Sequence, residues 1–430
     1  MTALYVVAFL SSLGFSIVLP FMVPLVLRLG GNAFVVGAIG ALFWSAQLVG
    51  STWLGTLSDR IGRKRVLFRS QLGAMAAWLV FLCALDAPRI ELLHVDRAGL
   101  GTFVITLPLV LIALARFTDG LFNGSISVAS AYVADFSDGD KRKLYYGRLG
   151  AASSLGFVVG PMLAGFSARG GLDVGAVVVL AFVLAAIAAL LIRFRLPALS
   201  PRPGAALEVA RQGGVRAHKP LGGGCSEAVR QPRWRVRAIL SIPEVRPLIG
   251  LYFLIYLAFS MFAASMPIHA VVDIQWSTAE LGLFYTTLAL ALGGTELLVL
   301  PPLARRLSAS MIAAGGSALL VVAYLLMGTS DTTALLAGGV LYGVGNGLMW
   351  PSYLTMLSHS GSREAQGAVQ GVGSSTGSLA SIIGTITGGV LFVRAGVVTF
   401  YISATMVAIA TLIFVARAQA RNHRYATSSS

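Results

Sequence analysis

Twelve long apolar runs decide what this chain can become. They lie near 3–27, 33–57, 66–85, 102–134, 144–168, 174–194, 247–271, 278–303, 311–328, 332–357, 366–393 and 397–418. A helix needs roughly 20 mostly apolar residues to cross the hydrocarbon core of a bilayer, and these runs meet or closely approach that length. Only 11% of the 430 residues are charged and 56% are hydrophobic, against about 25% charged in an ordinary soluble domain. One aqueous core cannot hide so much apolar surface. The runs are continuous and lack the alternation of a membrane barrel, so the predicted elements are helices, whose backbone groups are satisfied internally. The first run is long enough to span by itself, and no cleavable leader is expected.

The basic residues set the orientation. With the N-terminus in the cytosol, 26 of the 32 lysines and arginines fall in cytosolic segments. Arg28, Arg89, Arg97, Arg169 and Arg394 fall outside, and Arg116 sits within a span. Excess Lys and Arg mark the cytosolic side of a membrane protein, so both termini are expected in the cytosol, and a bacterial inner membrane is the expected location. The net charge of +15 is therefore an orientation signal with anionic lipid head groups as its default partner; no nucleic-acid partner is expected. Two cysteines, Cys83 and Cys225, make neither a disulfide framework nor a metal cluster.

Residues near 197–245 break the apolar pattern with Pro, Gly and Arg, as in Pro201-Arg202-Pro203-Gly204. Such composition predicts a flexible cytosolic linker. It separates an N-terminal unit (1–196) from a C-terminal one (246–420), each with six spans, followed by a short tail (421–430). The halves align faintly. Gly55-Thr56-Leu57-Ser58-Asp59-Arg60-Ile61 matches Pro301-Pro302-Leu303-Ala304-Arg305-Arg306-Leu307, and Gly160-Pro161 with Ala164-Gly165 matches Gly384-Thr385 with Gly388-Gly389. An internally duplicated bundle is a common transporter architecture.

Three local patterns carry chemistry. The loop after the second span reads Gly55-Thr56-Leu57-Ser58-Asp59-Arg60-Ile61-Gly62-Arg63-Lys64-Arg65. A tight turn between helices needs glycine where φ is positive, and an acid beside a basic run can pair with neighbouring helices. With this string the chain resembles the major facilitator superfamily, whose second-to-third loop carries G-x-L-x-D-R-x-G-R-K. The resemblance covers nearly the whole chain. It implies an all-α integral membrane protein with twelve transmembrane helices in two pseudo-symmetric six-helix bundles, working as a monomer by alternating access. It also implies a cytosolic latch between the halves, made by Asp59 and Arg60 with Gly55, Gly62, Arg63 and, at the end of the fourth span, Asp135.

The second pattern is Gly147, Gly156, Gly160-Pro161 and Ala164-Gly165 in the fifth span. Small residues let a helix approach its neighbours closely, and proline bends it. The string resembles the antiporter signature of the superfamily's drug-exporting branches, with Ala164 in place of a glycine. The third is Arg116 with Asp119-Gly120 in the fourth span. Asp119 and Glu296 are the only acids placed inside spans, and an ionisable group there is expensive enough to be functional by default. Arg116 and Asp119 share a helix face. Opposite charge favours the ionised acid and desolvation the protonated one, so proton affinity at Asp119 should respond to opening and closing. A structural buried pair is the competing reading. Arg116 and Gly120 match the family's fourth-span motif, R-x-x-Q-G, which the resemblance links to proton transfer; Asp119 stands where that motif often has Gln. The first span, by contrast, has Ser11-Ser12-Leu13-Gly14 with Pro20 and Pro24, and lacks the acid common in drug/proton antiporters.

Glu296 is either a second proton or cation site or a hydrogen-bonded interhelical acid. His269 is read as a satisfied structural residue. Gly345-Asn346-Gly347-Leu348-Met349-Trp350-Pro351 and Gln366-Gly367-Ala368-Val369-Gln370-Gly371 resemble the tetracycline-exporter branch. Asn346, Trp350 and Gln370, with Gln47 and Asn123 from the first half, are candidates to line a midplane cavity for a small-molecule substrate; interhelical hydrogen bonding is the bland alternative for each. These features together predict proton-coupled export of an amphipathic organic compound. Uptake of a small metabolite and lipid translocation are the rivals. No nucleotide-binding glycine loop, His-Glu-x-x-His string or Cys/His cluster occurs in the sequence, so neither an enzyme nor a cofactor is expected.

Overall fold

The computed structural model describes residues 1–97, 99–123, 125–136, 139–171, 173–198, 239–360 and 366–428. Among them the first half comprises α1 (Thr2–Arg28), α2 (Ala33–Ile61), α3 (Arg63–Asp86), a hairpin of β1 (Glu91–Arg97) and β2 (Gly101–Thr106), α4 (Leu107–Asn123 continued by Ser125–Phe136), α5 (Gly139–Arg169) and α6 (Val174–Arg195). The second half comprises α7 (Val245–Val272), α8 (Thr278–Ala304), α9 (Ala309–Met327), α10 (Thr332–His359), α11 (Gln366–Ala395) and α12 (Val398–Ser428). Eleven described helices are long and apolar enough to cross a membrane. The remaining one, α10, has 28 residues, and its glycines, Asn346, Trp350 and Pro351 make it less apolar. The linker expected over 197–245 lies mostly outside the described residues, as does the end of the tail.

Side-chain caps open the helices: Asn32 accepts from Val35 N, Asp173 from Ala176 N and Asp331 from Ala334 N, and Ser277 with Glu280 forms a capping box. Each satisfies an amide the first turn leaves unpaired. Prolines set the interruptions, because each removes an amide donor. In α1 the helix breaks after Ser16 and restarts at Leu19, with Pro20 in the new first turn. In α8 a π-helical turn over Thr295–Val299 precedes Pro301 and Pro302.

The sequence places the start of the fourth span at 102, and this is corrected. Residues 101–106 form β2, paired antiparallel with β1, and the helix starts at Leu107. Phe103, Val104, Ile105 and Thr106 suit a pleated strand, and positive φ at Gly99 and Gly101 turns the hairpin. Its partners lie in both halves. Val104 N donates to Gly30 O (2.9 Å), Asn32 Nδ2 to Leu100 O (2.7 Å), and Arg394 Nε at the end of α11 to Gly99 O (3.1 Å).

Among the described residues the main contacts between the halves lie near this hairpin face. There α2 crosses α11 and α5 crosses α8, and glycine makes both crossings. A Cβ on Gly37 would lie 2.3 Å from Thr385 O, and one on Gly282 would lie 2.5 Å from Gly165 Cα; no side chain could occupy either place. At the opposite face, which carries the chain ends, a Cβ on Gly55, Gly147, Gly293, Gly294 or Gly371 would meet nothing within 4 Å. The molecule is closed at the hairpin face and open at the terminal face. The faint repeat reappears in this packing. Gly160 abuts α1 as Gly384 abuts α7, and Gly165 abuts α8 as Gly389 abuts α2.

The cores of the halves differ. The second half is built on one continuous cluster that includes Ile255, Phe262, Tyr324, Tyr342, Tyr353 and Phe414. The first half has two clusters. One holds Ile17, Phe21, Trp78, Phe81 and Ile112, the other Leu4, Val7, Leu54, Val66 and Tyr132.

Candidate functional site

The gap between those two clusters is polar. A cavity of about 40 Å³ lies among α1, α3, α4 and α6, with Ser11, Ser70, Gln71, Asp119 and Asn123 in its lining. Gln71 Nε2 donates to Ser11 Oγ at 2.9 Å and ties α3 to α1 across it. A polar space of this size can hold a water molecule. Three close approaches fix α4 beside it: Gly120 against Phe43 O, Gly50 against Leu121 O and Gly73 against the Phe122 ring.

Arg116 and Asp119 face inward from α4, with side chains 5% and 7% exposed. Arg116 Nη1 lies 3.2 Å from Asp119 Oδ2, as their spacing predicts. The guanidinium carbon also sits 5.0 Å from the centre of the Trp78 ring and 5.7 Å from that of Phe81, so ring faces share its charge. The pair is incompletely satisfied. Arg116 Nε and Nη2 and Asp119 Oδ2 find no hydrogen-bond partner among the described residues, and leaving such groups unpaired costs about 1–3 kcal/mol each, more where charged. Asp119 thus presents a carboxyl group beside a polar cavity, with Arg116 as its one ion-pair partner among the described residues.

A second cavity, of about 120 Å³, lies in the other half. Tyr256 and Phe259 of α7 and Asn346 and Trp350 of α10 are half-buried along it, with Tyr324 and Tyr342 buried behind them. Helix periodicity aligns Tyr252 over Tyr256 and Trp350 over Tyr353. Tyr252 and Tyr256 are stacked, 4.9 Å apart at 4°. Trp350 stands edge-on to both, at 5.3 and 5.1 Å, and stacks on Tyr353 at 5.7 Å. Tyr353 Oη donates to Leu248 O at 2.7 Å, fixing the array to the backbone of α7.

The other sequence candidates divide between these places and the terminal face. Asn346 and Trp350 line the aromatic cavity. Asn123 does not; it lines the cavity of Asp119, because it follows Asp119 by about one helical turn. Gln47 in α2 and Gln370 in α11 are half-buried and line neither. Glu296 is half-buried in the π-helical turn, without a hydrogen bond or ion pair among the described residues. His269 is buried and satisfied: Nδ1 lies 2.6 Å from Asp273 Oδ2 and Nε2 donates to Thr329 O at 3.0 Å.

At the terminal face, Arg63 rather than Arg60 is the pairing cation. It meets Asp59 Oδ1 at 2.5 Å and Asp135 Oδ2 at 2.9 Å. Arg63 starts α3 and points at the end of α4, whereas Arg60 ends α2 exposed and joins no described ion pair. All three cluster members belong to the first half, so in this open conformation the cluster ties α2, α3 and α4 together, and among the described residues it makes no ion pair with the second half. Gly62, between α2 and α3, has φ +96° and so needs glycine. Of the fifth-span pattern, Gly156 and Gly160 press on α1, Gly165 and the carbonyl of Pro161 meet α8 at Gly282, and Gly147 is free of contacts. Tyr252, Tyr256 and Phe259 of α7 and Tyr342 of α10 are not among the sequence candidates. The signal for the first three is aromatic spacing on α7, but which helix faces α7 is not written in its own sequence.

The model of the Major Facilitator Superfamily matches residues 4–243 and 248–429. The tetracycline resistance protein, class G, of Vibrio anguillarum is 26% identical over 380 residues, covering 88% of this chain and 86% of that protein. Multidrug resistance protein 2 of Bacillus subtilis (strain 168) is 28% identical over 165 residues, 38% of this chain and 36% of the relative. Among solved structures, the human organic anion transporter MFSD10 (TETRAN) superposes with a TM-score of 0.61 at 21% identity, covering 96% of this chain and 98% of that one. The nucleoside transporter NupG superposes with a TM-score of 0.65 at 12% identity, covering 96% and 98%. These likenesses show the fold.

Proposed function

The chain belongs to the major facilitator superfamily, a multi-pass membrane transporter of small molecules and not an enzyme, and from that premise we propose that it is a proton-coupled antiporter. Its cargo is an amphipathic organic compound exported across a bacterial inner membrane, and its terminal face is the cytosolic one. The observation that carries this reading is the buried Arg116–Asp119 ion pair, whose Asp119 Oδ2 accepts no hydrogen bond among the described residues, beside a polar cavity. The similarity to tetracycline and multidrug resistance proteins favours export as the direction.

The open terminal face is the state in which cytosolic substrate enters. Asp119, deprotonated towards the cytosol, pairs with Arg116 and holds α4 in place. Protonation from the other side releases Arg116 from that pair and changes how α4 packs against α1 and α3. Since α1 also bears the glycine face of α5, which crosses to α8 at the hairpin face, a shift in α4 and α1 has a direct mechanical route to the gate. The test is transport in proteoliposomes under an imposed pH gradient. Asp119→Asn should bind substrate and catalyse exchange at equal pH while losing gradient-driven accumulation. Accumulation at the wild-type level in that variant contradicts the reading.

A further inference from the structure

We propose that the aromatic cavity between α7 and α10 is the substrate seat, and that it selects a flat ring system that is neutral or cationic. This rests on the export reading for its direction but not for its chemistry. The cavity is lined by α7, α9, α10 and α12; α7 packs on α11 and α10 packs on α8, the two helices that make most of the contacts with the first half. Tyr256, Phe259, Asn346 and Trp350 are half-buried along it although they lie at mid-helix. Aromatics that served only as core packing would be buried, as Phe262, Tyr324 and Tyr342 are.

The array is also rigid. Tyr252, Tyr256, Trp350 and Tyr353 hold one another at 4.9 to 5.7 Å, alternately stacked and edge-on. A wall of fixed rings offers planar contact area without the cost of ordering it on binding. Its electrostatics then choose the charge. No residue lining this cavity is ionisable apart from tyrosine, so no cation waits for an anionic group. Ring faces carry negative potential and attract cations. Asn346 supplies one amide, able to donate or accept, to orient a polar substituent. The proton site is in the other half and shares no residue with this one, so substrate and proton need not compete for a group.

Equilibrium binding to the purified full-length protein tests the seat without any pH gradient. The probes are proflavine (a flat three-ring cation), pyrene sulfonate (a flat anion) and tetrapropylammonium (a cation without rings). Proflavine should bind, and the other two at least about tenfold more weakly, the scale of a lost stacking or cation–π contact. Trp350→Ala and Tyr256→Ala should weaken proflavine about tenfold, Trp350→Phe should restore most of the affinity, and Asp119→Asn should leave it unchanged. Preferred binding of pyrene sulfonate, absence of proflavine binding, or full affinity in Trp350→Ala overturns the proposal. If an alanine variant does not fold, Asn346→Leu decides instead: it must shift proflavine affinity measurably, and no shift overturns the proposal. If proflavine behaves as expected while Asp119→Asn still accumulates substrate under a gradient, the seat stands and the coupling reading falls.

Discussion

The two halves share a packing scheme and differ in what they keep inside it. Both press a glycine-bearing helix on their first helix and cross to the other half at a second glycine. Yet the first half splits its apolar core in two around Asp119, Arg116 and a polar cavity, whereas the second keeps one continuous core and lines its cavity with rings. A duplicated scaffold thus carries two chemistries: a buried Arg–Asp pair beside a polar cavity in one half and an aromatic wall in the other. On the proposed function, the symmetric parts are the moving joints and the asymmetric parts are the binding chemistry.

Attacking the symmetric joints should do the most damage. Gly37→Leu or Gly282→Leu places a side chain where backbone already stands, so the hairpin face cannot close. Transport should fall at least about 100-fold, as expected when a clash of several kcal/mol must be relieved. Distances between spin labels across that face should lengthen in both variants. Gly147→Leu, at a position with no neighbour within 4 Å, separates the two faces: it should leave this conformation intact and hinder only closure of the terminal face.

Gly62→Ala strains a turn held at φ +96° and should cost about 1 kcal/mol in stability, read from the thermal midpoint in detergent. Removing the contact between hairpin and α11 with Arg394→Ala should shift the population modestly towards opening at the hairpin face, seen in the same label distances. The smallest effect belongs to Arg63→Gln. Asp59 and Asp135 are 63% and 46% exposed, and exposed pairs contribute about 0–1 kcal/mol. Its stability should change by less than about 1 kcal/mol, while the rate of switching between conformations should rise if the cluster braces the open state.

Much of this was legible in the sequence for one physical reason: charge is expensive in a bilayer, so every charge left there is informative. That reasoning placed the helices and singled out Arg116 and Asp119. The faint pairing of Gly160 with Gly384 and of Gly165 with Gly389 was legible too, since close helix approach tolerates little else. The hairpin was not. Phe103 to Thr106 runs without a break into the apolar start of α4, and hydrophobicity alone does not separate a strand from a helix. Arg60 and Arg63 look alike as basic positions of one motif, and only the turn at Gly62 sends their side chains in different directions. The aromatic seat needs α7 to face α10, a pairing of residues about 100 apart that no local pattern encodes.

The division of labour is tested most directly by measuring the pH dependence of transport in four proteins: wild type, Asp119→Asn, Trp350→Ala and the double variant. Asp119→Asn should flatten the pH profile and keep the apparent KM. Trp350→Ala should raise the KM about tenfold and keep the shape of the profile, and the double variant should show both changes together. A Trp350→Ala profile shifted along the pH axis, or an Asp119→Asn profile matching wild type, would contradict the separation of proton and substrate between the halves.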